Sequence, residues 1–202
     1  MSQPSPEASS RKQPYWSFLR EFVRARRIVG AVAPTSKGVG RRMAQLAGVR
    51  DARSIAEFGP GTGAITHELL DALPADGRLW GFEIYPPFVQ HLSETIKDPR
   101  LTVLTESAEA IAGLRERETS DGFDAVISSI PFSLIGPEQT FAILRAVSQS
   151  LRPGGIFVAL QYHPRYLAPH LRAEFASVER EVYPWNIPPA TLLSAHTPRS
   201  AQ

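Results

Sequence analysis

The clearest capacity for chemistry lies in Ala56-Glu57-Phe58-Gly59-Pro60-Gly61-Thr62-Gly63, where an acid precedes three glycines at alternate positions. Glycines so spaced let the backbone turn sharply and let a ligand lie against main-chain N–H groups with no Cβ in the way. Twenty residues after Gly63 stands Glu83, in Trp80-Gly81-Phe82-Glu83-Ile84. A carboxylate there can accept hydrogen bonds from both hydroxyls of a ribose, so an adenosine-containing cofactor is the expected ligand. Two later segments add polar groups: Ser128-Ser129-Ile130-Pro131-Phe132, and Tyr162-His163 ahead of Pro164. Tyr162 and His163 are candidates to accept or orient a proton; a lone histidine near a strand end is more often a structural hydrogen-bonding partner. The chain has no cysteine, which excludes thiolate chemistry, and no His or carboxylate cluster at metal-ligand spacing, so no metal is expected.

These groups need a scaffold, and short β-rich runs alternating with amphipathic helices supply one. Strands are expected at residues 54–58, 78–83, 101–104, 123–129 and 156–161, with helices at 64–73, 87–96, 108–114 and 137–151 between them. Right-handed βαβ crossovers of this length build a parallel sheet covered on both faces. Gly154-Gly155, after Leu151-Arg152-Pro153, is expected to stop the last of these helices sharply before the fifth strand. A short helix at 169–175 then precedes two strand-like runs, 177–183 and 190–196, read as an antiparallel pair closing one sheet edge. Open sheets of this kind bind ligands at the carboxyl ends of their strands, where strand order reverses, and the glycine turn and Glu83 both fall there.

Of the 202 residues, 43% are hydrophobic and 21% charged, which fits a single globular domain with a sizeable core and excludes global disorder. No apolar run approaches the ~20 residues that span a bilayer, and the opening residues lack a secretory h-region. A cytoplasmic protein, free or attached to the inner membrane face, is expected. The net charge of +2 conceals segregation: residues 11–42 carry nine Lys/Arg against one acid, and residues 43–202 carry 13 basic and 18 acidic side chains. Within the basic stretch Tyr15, Phe18, Leu19 and Phe22 recur at helical spacing, with Trp16 beside them and Arg20, Arg24, Arg26 and Arg27 interleaved. Such a helix suits an anionic membrane surface, at about 1 kcal/mol per basic residue near the lipid. A solvated basic face packed on the domain, or a stripe for phosphate-rich RNA, are the alternatives. The expected organisation is a disordered Ser/Pro-rich tail over residues 1–10, basic amphipathic helices over 11–47 acting as membrane arm and cofactor lid, and a cofactor-binding domain over 48–202. Thr35 and Ser36 supply the N-cap of the second of those helices.

Glu57-x-Gly59-x-Gly61-x-Gly63 is not the G-x-G-x-x-G of dinucleotide enzymes. It resembles motif I of the class I S-adenosylmethionine-dependent methyltransferases. That resemblance implies an α/β, Rossmann-like fold with a mostly parallel seven-stranded sheet, a C-terminal antiparallel strand pair and N-terminal helices. It implies S-adenosylmethionine as cofactor and S-adenosylhomocysteine as product, with Glu57 holding the ammonium group, the glycine turn facing the methionine part and Glu83 binding the ribose. Ile84, Ala108, Ser128, Thr35 and Ser36 complete the cofactor site, and Ser107 stands where the family commonly has an Asp for the adenine amino group.

Ser129-Ile130-Pro131-Phe132 is similar to the N/S/D-x-P-Y/F-like segment with which amine methyltransferases of this class hold the target nitrogen. Phe132 would then flank a cationic nitrogen; the alternative is a proline turn with Phe132 in the core. The segments Val29 to Ser36 and Trp185-Asn186-Ile187-Pro188-Pro189-Ala190, with Tyr162-x-Pro164, resemble the bacterial phosphatidylethanolamine N-methyltransferases, which are related to the ribosomal RNA adenine dimethylases. The resemblance covers about residues 15–197. It implies stepwise methylation of phosphatidylethanolamine towards phosphatidylcholine by a membrane-associated enzyme, expected to be a monomer in solution. An RNA adenine N6-methyltransferase is a second possibility, against which Ser129–Phe132 lacks the Asn and Tyr of those dimethylases and little chain follows the last strand. A non-catalytic membrane-binding module is a third, against which stand the intact glycines and both acids.

Overall fold

The structure is a computed structural model and describes residues 36–119 and 121–198. Thr35 and the basic aromatic segment with Tyr15, Trp16, Phe18, Leu19, Arg20, Phe22, Arg24, Arg26 and Arg27 lie outside the described residues. The β-rich runs form β1 (Ser54–Phe58), β2 (Arg78–Phe82), β3 (Leu101–Leu104), β4 (Phe123–Ser128), β5 (Leu151–Gln161), β6 (Phe175–Tyr183) and β7 (Ala190–Pro198). They make one sheet in the order β3-β2-β1-β4-β5-β7-β6. The first five strands are parallel, and β7 runs antiparallel to both β5 and β6. This is the expected α/β architecture, a mostly parallel sheet ending in an antiparallel pair.

The helices are α1 (Lys37–Leu46), α2 (Ala64–Ala72), α3 (Pro86–Thr95), α4 (Ile111–Glu118), α5 (Pro137–Ser150) and α6 (Pro164–Glu174). Ser36 caps α1, its Oγ accepting the Val39 N–H at 3.4 Å. Prolines open α3, α5 and α6 where a missing N–H has no partner to lose. The central strands β1 and β4 are apolar on both faces: Ile55, Ala56 and Phe58, with Ala125, Val126 and Ile127, are all buried. That continuous burial is the signature of parallel strands covered by helices on each side.

Register explains why distant residues meet. Phe58 at the end of β1 pairs with Phe82 and with Ser128, and Phe82 pairs with Leu104. The chain therefore leaves β1, β2, β3 and β4 at one common edge, between β1 and β4 where the order reverses.

Two boundaries differ from the sequence expectation. The segment Leu151 to Gly155 does not separate helix from strand; it belongs to β5. Phe123 pairs with Leu151, and the register then jumps so that Ala125 pairs with Ile156, which makes residues 152–155 a bulge. Gly155 fits there because a Cβ would stand 2.9 Å from Arg152 O and 3.0 Å from Phe123 O. Helix α6 begins at Pro164, not near Pro169, which lies inside it. Pro164 takes the tolerated first-turn position, and Pro169 is accommodated at the loss of one backbone bond.

Candidate active site

The turn after β1 is built by backbone conformation. Gly59, Gly61 and Gly63 have φ of 71°, 59° and 86°, in the left-handed region that L side chains avoid. A Cβ on Gly63 would meet Leu92 and Ile96 at 3.0 Å, so glycine lets α2 close on the end of α3. The main-chain donors, however, are used inside the protein. Gly59 N–H donates to Phe82 O at 3.0 Å, Gly61 N–H to Glu83 Oε2 at 3.0 Å and Gly63 N–H to Pro60 O at 2.9 Å. The N–H groups of these three glycines are thus partnered within the protein, and what the glycines offer a ligand is a surface without Cβ atoms.

Two carboxylates stand at the ends of the adjacent strands β1 and β2. Glu57 is 1% exposed; its Oε2 accepts the Thr66 hydroxyl at 2.7 Å, while Oε1 has no partner among the described residues. Burial pushes its carboxyl up to about 8, with nearby Glu83 adding to the rise and the Thr66 bond opposing it. Glu83 is also buried and also raised by desolvation, although its oxygens accept the N–H groups of Tyr85 at 2.9 Å and Gly61 at 3.0 Å, which favour the charged form. An unpartnered, fully buried carboxylate oxygen is costly unless a cation meets it. A cationic group could meet that oxygen at Glu57. At Glu83, each oxygen retains a lone pair to accept a hydroxyl. Both features fit the ammonium and ribose of S-adenosylmethionine.

Ser107 and Ala108 follow β3 at the same edge. Ser107 is half-buried at the start of the 3-10 turn Ala108–Ala110, Ala108 is buried, and the Ser107 hydroxyl caps nothing. Ile84 is half-buried beside Glu83. Ser128, fully buried, accepts the Ile130 N–H at 3.3 Å. Ser129 is clamped to the glycine turn: its N–H donates to Phe58 O at 3.0 Å and its hydroxyl to Gly59 O at 2.7 Å. Committing the Ser129 proton in this way leaves its oxygen lone pairs as acceptors. Pro131 leads into the 3-10 turn Phe132–Leu134. Phe132 corrects the sequence expectation: its ring is fully buried, edge-to-face with Phe157 at 6.4 Å, and so packs the core instead of flanking an acceptor.

Tyr162 and His163 follow β5 at the same end, Tyr162 half-buried and His163 exposed. Two residues beside them went unassigned from sequence. Gln161, buried, donates from Nε2 to Ile130 O at 2.8 Å and holds the Ser129–Phe132 segment against β5. Asn186, also buried, accepts the Ser36 N–H at 3.2 Å and donates to Tyr162 Oη at 3.3 Å and Pro188 O at 2.8 Å, beside the cis Ile187–Pro188 peptide. It ties the start of α1, the end of β5 and the β6–β7 turn together. The only sequence signal for it is its place within Trp185–Ala190. Asn186→Ala removes the partner of the half-buried Ser36 N–H and of the Pro188 carbonyl. It is expected to destabilise the protein by about 1–3 kcal/mol, read from the midpoint of urea unfolding.

Among the described residues no group of three or more His, Cys, Asp or Glu could hold a metal ion, and no helix is long and apolar enough to cross a membrane. Residues 55–155 match a family model described as a methyltransferase domain. The chain is 26% identical over 177 residues, 87% of its own length and 92% of the relative's, to an ornithine lipid N-methyltransferase of Singulisphaera acidiphila. Among solved structures it is similar to an O-methyltransferase from Bacillus cereus in complex with S-adenosylhomocysteine, with TM-score 0.66, 18% identity and 94% of each chain covered. It is also similar to the N-methyltransferase NodS from Bradyrhizobium japonicum WM9, with TM-score 0.64, 16% identity, and 80% of this chain and 96% of that one covered.

Proposed function

Because the chain belongs to the methyltransferase-domain family and is an S-adenosylmethionine-dependent methyltransferase, we propose that its acceptor is the amine of a membrane lipid, phosphatidylethanolamine and its partly methylated intermediates. The observation that carries this reading is the near full-length similarity to a protein named for methylating the nitrogen of a lipid. The Trp185–Ala190 segment and Tyr162-x-Pro164 support the phosphatidylethanolamine assignment by resemblance.

S-adenosylmethionine, when bound, would supply a methyl group on a sulfonium, whose carbon is attacked by a nitrogen lone pair, so that the C–N bond forms as the C–S bond breaks and S-adenosylhomocysteine is the leaving group. In this reading Glu57 Oε1 takes the cofactor ammonium, Glu83 takes the ribose hydroxyls, and Ile84, Ser107 and Ala108 form the adenine side. Gly59, Gly61 and Gly63 keep the turn clear of side-chain atoms, and Ser36 and Ser128 hold the walls on either side. Ser129, its own proton committed to Gly59 O, presents lone pairs to an N–H of the acceptor amine. Pro131 and Gln161 fix the backbone of that segment. Most of the catalysis is alignment, because an amine held in line with the methyl group needs little further chemistry. A protonated amine has no lone pair, so a proton must leave first. Tyr162, its oxygen already accepting from Asn186, orients the amine, and exposed His163 or solvent receives the proton.

Of the stretch 11–47, α1 packs on the domain through buried Val39, Met43 and Ala44, and it is the basic aromatic residues ahead of it that carry the enzyme to the anionic inner membrane face. Charge reversal at Arg24, Arg26 and Arg27 is expected to weaken binding to anionic vesicles by at least about tenfold, from roughly 1 kcal/mol per cation, without changing cofactor affinity. Flotation and calorimetry read the two separately. The function itself is tested by transfer of labelled methyl to vesicle lipids: label is expected in phosphatidylethanolamine products and absent from vesicles of phosphatidylcholine alone. Label on ribosomal RNA and on no aminolipid would instead favour the RNA adenine reading.

A further inference from the structure

The β6–β7 turn carries the two most exposed large apolar side chains among the described residues. Trp185 is 82% and Ile187 76% exposed, and Val182 below them on β6 is 52% exposed. Single exposed apolar residues are ordinary, but three on one strand and its turn form a patch. Asn186, buried between Trp185 and Ile187, bonds to Ser36, Tyr162 and Pro188 and so anchors the tip from which both side chains project. Tyr183 pairs with Ala190, and Gln161 with Thr191, which puts this tip at the carboxyl ends of the parallel strands. It therefore stands on the rim of the site, next to Tyr162.

Beneath the tip, α6 and β6 enclose a groove of about 240 Å³ lined by Arg165, Arg172, Val178, Arg180 and Leu193. None of the three arginines pairs with an acid among the described residues; the acid on the opposite face of β6, Glu181, is held by Arg42 at 2.6 Å. Apolar side chains at the outermost point, with free guanidinium groups set behind them, match the order of layers that an anionic bilayer presents. Trp favours the headgroup boundary, and arginines farther out meet phosphate.

We infer that this edge is a lipid-docking surface separate from the N-terminal arm. Trp185 and Ile187 enter the headgroup region, Arg165 and Arg180 take the phosphates of anionic lipid, and the mouth of the site is thereby turned towards the bilayer. Its purpose rests on the lipid-amine reading above, but the contact is measurable without turnover.

The test is flotation of the full chain with vesicles of phosphatidylcholine and phosphatidylethanolamine, with and without phosphatidylglycerol, alongside methyl transfer to phosphatidylethanolamine in the same vesicles. Trp185→Ser with Ile187→Ser is expected to reduce vesicle binding by about tenfold or more. Arg165→Gln with Arg180→Gln is expected to reduce it only on anionic vesicles, and the difference should vanish at high salt. Cofactor affinity by calorimetry stays at the parent value in both, which also shows that they fold. Vesicle binding equal to the parent in both variants would overturn the inference. So would a concentration-dependent dimer lost in Trp185→Ser with vesicle binding intact, since the patch would then serve a second copy of the chain. If the variants lose binding and no aminolipid is methylated by the parent, the docking surface stands and the substrate assignment fails. If all of them bind and methylate alike, the reverse holds.

Discussion

Glu57→Gln is expected to weaken S-adenosylmethionine binding by about 100-fold or more, and to flatten the dependence of the cofactor-free protein's stability on pH. The first effect follows from geometry: Oε1 is buried and unpartnered, so a cationic ammonium is its natural complement, and a neutral amide supplies no charge. Losing a buried charge-assisted contact costs about 3 kcal/mol, which is roughly 100-fold in affinity. The second effect follows from linkage. The carboxyl titrates near 4.5 in an unfolded chain and at about 8 when folded, because burial disfavours its charge. Between those values the folded state binds the extra proton, so its stability is highest at the acid end of the window and falls as pH rises through it. The slope approaches about 1.4 kcal/mol per pH unit where the difference is a full proton. The same proton must leave when an ammonium arrives. Binding near pH 7 should therefore release close to one proton, read by calorimetry in buffers of different ionisation heat, and affinity should fall as pH drops below 8. A dissociation constant independent of pH across that range would contradict the role given to Glu57.

Glu83→Ala should be as damaging for a different reason. Its two oxygens satisfy the N–H groups of Tyr85 and Gly61, so truncation removes the support of the glycine turn as well as the acceptor for ribose hydroxyls. Cofactor affinity is expected to fall by about 100-fold or more, and folding stability by about 1–3 kcal/mol for the orphaned donors. Calorimetry and urea unfolding measure the two quantities. A binding loss of less than about threefold in a variant of lowered stability would leave Glu83 with a purely structural role.

Much of this site is legible in the sequence because its signals are local. The glycine turn, Glu57 two residues before it and Glu83 at the next strand end are each set within a single βα unit, and the strands that carry them are short, mostly apolar runs. What stays hidden depends on contacts across the chain. Asn186 reaches Ser36, 150 residues away, and Gln161 reaches Ile130 across 31. No periodicity marks either one. Phe132 is placed in the core by Phe157, a partner on another strand, whereas its own neighbourhood reads equally well as the wall of an amine pocket. The glycine N–H groups look free in the sequence and are taken up by Phe82, Glu83 and Pro60 once the strands align. The two misplaced boundaries share a cause: Gly154-Gly155 and Pro169 are punctuation that a bulge and a helix interior absorb.

The most direct measurement is methyl transfer from labelled S-adenosylmethionine to phosphatidylethanolamine in anionic vesicles, with mono-, di- and trimethylated headgroups resolved and the parent chain run beside Glu57→Gln. Phosphatidylethanolamine should gain methyl groups stepwise on its nitrogen with the parent, and at a cofactor concentration near the parent's dissociation constant Glu57→Gln should transfer them about 50-fold more slowly or worse. Cofactor binding by the parent without methyl transfer to any aminolipid would contradict the proposed acceptor, and undiminished transfer by Glu57→Gln would contradict the proposed site.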